Sequence, residues 1–142
     1  MHLTADQITL QLAALLAHGL GDYVFQSHWM ATTKTSRSSA AAAHVVAYGL
    51  VFAVLVTRSA LALAVIVGTH FVIDRWRLAR HVVWAKNWLA PPGKGPAPWT
   101  ECRATGYDPD VPPWLSTWLL IVVDNLMHVS INAVAVYLWA AT

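Results

Sequence analysis

Charged residues mark off long apolar stretches along this chain. Between Ile8 and Phe25 the only charged residue is Asp22; between Ala40 and Ile73 it is Arg58; from Val111 to Thr142 it is Asp124. A bilayer-spanning helix needs roughly 17–25 mainly apolar residues. The first and last stretches each supply one such helix. The middle stretch is too long for one span, and Thr57-Arg58-Ser59 is its natural break. The pattern therefore predicts four transmembrane helices, near residues 8–25, 40–56, 59–76 and 114–141, in an all-α, up-down membrane bundle forming a single domain over 1–142. Met1–Gln7 carries Asp6 and no Lys or Arg. It thus lacks the basic opening of a cleaved signal peptide, and the first helix is expected to be retained.

Two connections remain, 26–39 and 77–113. The second opens with a basic aromatic run, Arg77 to Trp88, and turns Pro/Gly-rich at Pro91-Pro92-Gly93-Lys94-Gly95-Pro96, which excludes helix throughout. These loops and their edges hold Lys34, Arg37, Arg75, Arg77, Arg80, Lys86, Lys94 and Arg103, leaving Arg58 as the remaining basic residue. The positive-inside rule puts both loops in the cytoplasm and both chain ends outside, in the inner (cytoplasmic) membrane. Trp29, Trp76, Trp84, Trp88, Trp114 and Trp118 flank the spans on the loop side, where an interfacial belt sits.

Composition agrees. The chain is 57% hydrophobic and 11% charged, against roughly 25% charged in a soluble domain. A single Cys102 excludes an internal disulfide framework. A net charge of +2 is too small for a nucleic-acid footprint, so no nucleic-acid partner is expected.

An ionisable side chain at the bilayer centre costs at least about 2.5–3.5 kcal/mol, so each one requires a reason. His18 and Asp22, His70 and Asp74, and Asp124 and His128 are three His/Asp pairs four positions apart, and the second helix adds His44. Four residues of helix bring both members of a pair to one face. All of these residues fall in the same, cytoplasmic half of the membrane. Imidazole and carboxylate gathered in an apolar bundle suit a divalent metal: zinc first, with iron or manganese as alternatives. The candidate ligands are His18, Asp22, His44, His70, Asp74, Asp124 and His128, enough for two metals or for one metal with Asp partners orienting the His ligands. A proton pathway, or polar residues acting only as interhelical glue, are the competing readings. Asn132 continues the Asp124–His128 stripe and Tyr48 the His44 stripe, as packing residues or as partners of the ligands. Ala13, Ala17 and Gly21 form a small-residue ridge that lets a neighbouring helix approach.

No Walker spacing, HExxH or Gly-x-Ser-x-Gly occurs. Arg75, Arg77 and Arg80 are candidates for anionic lipid headgroups.

The run Leu-Leu-Ala-His18-Gly-Leu-Gly-Asp22-Tyr-Val-Phe-Gln26, with Trp29-Met30 and Lys34, resembles the opening of the small bacterial and phage membrane proteins called domain of unknown function 3307. His44, Thr-His70-Phe-Val-Ile-Asp74 with Arg77, and Asp124-Asn125-x-x-His128 are similar to that family's later motifs, in order. Asn125 stands where the family more often has Gln. By analogy, the family is similar to other small membrane families associated with metal-dependent hydrolysis.

The expected function is a metal-dependent hydrolase acting on a lipid or lipid-linked substrate near the cytoplasmic face. Asp22, Asp74 and Asp124 would be ligands, acceptors for the His ligands or the general base, and Arg77 would hold an anionic substrate group on the Asp74 face. The alternatives are a proton or divalent-cation transporter or channel, which would call for a homo-oligomer, and a structural membrane subunit.

Overall fold

The structure is a computed structural model in which residues 4–140 are described. The chain ends, including residue 141 of the expected fourth helix, lie outside the described residues. Among those described, all regular structure is helical. Helix α1 (Ala5–Gly19) runs into a π-helical turn, Leu20–Val24. There follow α2 (His28–Thr33), α3 (Ser38–Leu55), α4 (Ala60–Trp76), α5 (Ala79–Lys86) with a 3-10 turn at Asn87–Leu89, α6 (Trp99–Cys102) and α7 (Pro113–Trp139). α3 and α7 are long and apolar enough to cross a membrane.

Local chemistry sets several of these boundaries. Thr4 and Gln7 form a capping box at α1: the Gln7 amide donates to Thr4 Oγ1, and the Thr4 amide to Gln7 Oε1, satisfying two otherwise orphaned groups. Ser27 Oγ accepts the Met30 amide, which starts α2 inside a stretch that reads as loop. Between α3 and α4, Thr57 Oγ1 accepts the Ser59 amide and donates to the Ala140 carbonyl.

The chain forms two compact units, residues 1–76 with 128–142, and residues 77–127. The core of the first is Ala14 and Ala17 of α1, Tyr48 and Phe52 of α3, Ile66 of α4, and Ala135 and Val136 of α7. Small residues permit this closeness. A Cβ on Gly49 would stand 2.6 Å from Val67 Cγ2, and one on Gly21 would enter the Tyr48 ring. Gln11 Nε2 donates to the Ala133 carbonyl at 2.9 Å, tying α1 to α7.

In the second unit, Gly106 adopts φ +84 and packs against the Arg80 carbonyl, leaving no room for a Cβ. Trp84 Nε1 donates to the Ala97 carbonyl, and the Ala97 amide to Asp108 Oδ1. The thiol of Cys102, wholly enclosed, faces Asp108 Oδ1 at 3.3 Å.

Candidate metal centre

The centre is built from four stretches of the first unit. The π turn supplies Asp22, α3 supplies His44, α4 supplies His70 and Asp74, and the middle of α7 supplies His128. None of these residues is more than 6% exposed. A carboxylate or imidazole taken out of water so completely requires a partner, and here the partners are one another.

The two imidazoles meet head-on, with His44 Nε2 3.0 Å from His70 Nε2. Asp22 Oδ1 lies 3.1 Å from His44 Nε2 and 3.2 Å from His70 Nε2. Asp74 Oδ2 lies 3.2 Å from each of the same nitrogens. Two near-equilateral donor triangles thus share the His44–His70 edge. Zinc-type bonds of roughly 2.0–2.2 Å set neighbouring ligand atoms about 3.0–3.4 Å apart, from octahedral to tetrahedral geometry. The observed edges fall in that interval.

The proton inventory favours a cation as well. Nδ1 of His44 and Nδ1 of His70 are buried without a hydrogen-bond partner, so no acceptor on the far side of either ring fixes its tautomer. On the near side, two nitrogens 3.0 Å apart share at most one proton between them. Two groups have the donor types and spacing to hold a metal ion: Asp22, His44 and His70, and His70, Asp74 and His128. His128 Nε2 is 3.6 Å from Asp74 Oδ1, and its ring stacks on His70 with centroids 3.9 Å apart.

His18 belongs to neither group. Asn132 Nδ2 donates to Tyr48 Oη at 2.6 Å, and Tyr48 Oη is hydrogen-bonded to His18 Nδ1 at 2.9 Å. His18 Nδ1 is 3.6 Å from Asp22 Oδ2, so His18 adjoins the centre through that carboxylate. Asp124 also joins neither group. It is half-buried on α7, one turn before His128, and belongs to the second unit. The expectation for Arg77 requires correction. Its placement on the Asp74 face assumed that the helix continues, but α4 ends at Trp76 and Arg77 has φ +52, a left-handed conformation that breaks the helical face. Its guanidinium donates to the Ala104 carbonyl.

Lys34 is the member that spacing misses. Its Nζ lies 2.7 Å from Asp74 Oδ2, an ion pair, and 3.5 Å from His44 Nε2. Read as a loop residue, it counted only toward topology, although the family-like opening run includes it. Arg75 donates to the Thr35 carbonyl at 2.7 Å and to Ser38 Oγ at 3.1 Å.

These features define an all-helical protein with a buried His/Asp cluster suited to a metal. The chain matches, over residues 10–142, the family model described as Protein of unknown function (DUF3307), and it belongs to that family. No curated protein and no solved structure matches it.

Proposed function

We propose that the chain is a four-span inner-membrane protein whose His/Asp centre holds a divalent metal, zinc first, and hydrolyses a lipid or lipid-linked substrate at the cytoplasmic side. The observation that carries this reading is the donor triangle of Asp22, His44 and His70, drawn from three helical segments and sealed from solvent.

Further features support it. In α3 and α7 only 33% and 22% of the most apolar window is buried, whereas the core helix of a soluble protein hides most of its apolar surface. Ala5–Val24 and Ala60–Trp76 reach the roughly 17–25 residues that a span requires. An apolar groove of about 440 Å³ is lined by Leu20, Phe25, Ala47, Leu50, Val51, Val54 and Leu55. Leu20 shares the π turn with Asp22, and Ala47 lies one helical turn beyond His44, so an acyl chain in the groove would bring its head toward the metal. Pockets of this size and lining bind one ligand of moderate size.

The chemistry a divalent metal would supply when bound here is a lowered pKa for water and polarisation of an acyl or phosphoryl oxygen. Asp22, His44 and His70 would hold it, and the other Asp22 oxygen faces His18. The reading requires no role for Asp124 or Arg77. Arg77 and Arg80 each donate to a backbone carbonyl, of Ala104 and Arg103. Burial and the like charges of Arg77 and Arg103 hold the Arg80 guanidinium below its ordinary value. An anionic headgroup would relieve that repulsion, and it is the lipid partner proposed for this stretch.

The test is elemental analysis of protein purified in mild detergent, followed by assay of fatty-acid and phosphate release from defined lipids with and without chelator. Stoichiometric metal and chelator-sensitive release are expected. Folded protein without metal affinity would overturn the proposal.

One observation favours a second reading, proton conduction. An unbroken polar chain runs from Asn132 through Tyr48, His18, Asp22, His44 and Asp74 to Lys34, with no step longer than 3.6 Å. Chelator-resistant proton flux in liposomes would select it.

A further inference from the structure

The two donor triads are not equivalent, and they cannot both be filled. His70 belongs to both, and a neutral imidazole offers one lone pair. A metal that takes His70 on the Asp22 side removes it from the Asp74 side.

The Asp74 side already holds a cation. Asp74 Oδ2, the oxygen that faces both imidazoles, has Lys34 Nζ at 2.7 Å. The neighbours of Asp22 are the imidazoles of His18, His44 and His70. The Lys34–Asp74 pair is clamped by the next residue along on each side: Arg75, after Asp74, donates to the carbonyl of Thr35, after Lys34, at 2.7 Å. A second bond from Arg75 to Ser38 Oγ holds the start of α3 against the same point. The lysine side chain is 16% exposed, so its ammonium is delivered from the edge of the centre into its buried part.

Resting on the metal reading above, we propose that Lys34 is a resident cation that closes the Asp74 triad to metal, so that the centre is mononuclear and its metal is held by Asp22, His44 and His70. Asp74 and His128 then position the His44–His70 edge without binding the ion. A second divalent ion would add two positive charges to the first metal and the ammonium, about five in all, in a site that excludes water and has only two carboxylates to offset them.

The experiment is a zinc titration of the detergent-purified full chain, stripped with chelator, against a chromophoric competitor. The thermal unfolding of each variant is recorded alongside. Wild type is expected to bind one equivalent. Asp22→Asn should weaken binding well over 100-fold, while His128→Gln should lose no more than about 10–100-fold, the size of effect expected when an outer partner rather than a ligand is lost. The decisive variant is Asp22→Asn/Lys34→Met: with the ammonium gone, the Asp74 triad opens and zinc binding returns. Two equivalents in wild type would overturn the proposal. So would equal losses in Asp22→Asn and Asp74→Asn, or a folded double variant that stays metal-free. Absence of zinc binding in folded wild type would bring down the metal reading itself. The wild-type stoichiometry and the Asp22→Asn and His128→Gln comparison stand whether or not the double variant folds.

Discussion

Replacing His70 by alanine removes the vertex common to both donor triads, and its effect separates metal binding from packing. The side chain is 1% exposed, and its ring lies between those of Tyr48 and His128, with centroids 3.9 Å from each. Truncating a side chain so enclosed leaves a cavity and costs about 2–4 kcal/mol, whatever else the residue does. The metal adds a second, conditional term. An ion present at 100 times its dissociation constant stabilises the folded state by about 2.7 kcal/mol. At about 4 °C per kcal/mol for a chain of this length, that is about 11 °C in Tm. Unfolding in detergent, with and without chelator, gives four melting temperatures. Chelator should lower that of wild type by about 10 °C and leave that of His70→Ala within about 2 °C of its own metal-saturated value. The difference between the two responses cancels the packing term. A wild type indifferent to chelator would refute the metal reading and leave these residues as polar glue. A variant that still responded in full would show that His70 is not a ligand.

Other outcomes follow from the same geometry. Gly21→Ala would drive a Cβ into the Tyr48 ring and should destabilise the fold by about 1–3 kcal/mol in chemical unfolding; a neutral result would mean that the π turn does not rest on Tyr48. Burial and the Asp108 carboxylate push the Cys102 thiol up to about 11, so alkylation at pH 8 should run about a hundredfold slower than at an ordinary thiol and quicken about tenfold per pH unit. Because the raised value means that the fold favours the neutral thiol, its contribution to stability persists below the ordinary thiol range and is lost as pH rises toward 11. Rapid alkylation at pH 8 would show that the thiol is not enclosed. Reporter fusions at Gly95 and after Thr142 should report cytoplasm and exterior respectively; the opposite pattern would overturn the orientation, and a cytoplasmic signal from both would mean that α7 does not cross the membrane.

The long elements were legible because apolar run length and turn chemistry are local properties. The break at Thr57-Arg58-Ser59 falls between Leu55 and Ala60, the observed ends of α3 and α4, where the Thr57 hydroxyl accepts the Ser59 amide and donates to the Ala140 carbonyl. The His/Asp chemistry was also legible, since spacing of four places both residues of a pair on one helical face. Spacing does not reveal how far a flexible side chain reaches. Lys34 lies outside every apolar stretch, and only the three-dimensional return of α2 toward α4 brings its ammonium to Asp74.

His18 pairs with Asp22 as its spacing implies, yet stands outside both donor groups for a different reason. The pair rule assumes 3.6 residues per turn, but Leu20–Val24 is a π turn in which the Phe25 amide bonds to the Leu20 carbonyl, five residues back. The wider turn changes the direction of Asp22 relative to His18. One Asp22 oxygen meets His44 and His70 at 3.1 and 3.2 Å, while the other lies 3.6 Å from His18, whose Nδ1 is taken by Tyr48. Gly19-Leu20-Gly21 is the one sequence signal for this, two permissive residues flanking the start of the turn. Such π turns recur at functional sites because they re-aim a side chain without ending the helix. Here the turn converts what would have been a separate His18–Asp22 pair into a shared corner, and Asp22 thereby becomes the carboxylate that joins α1 to the imidazoles of α3 and α4.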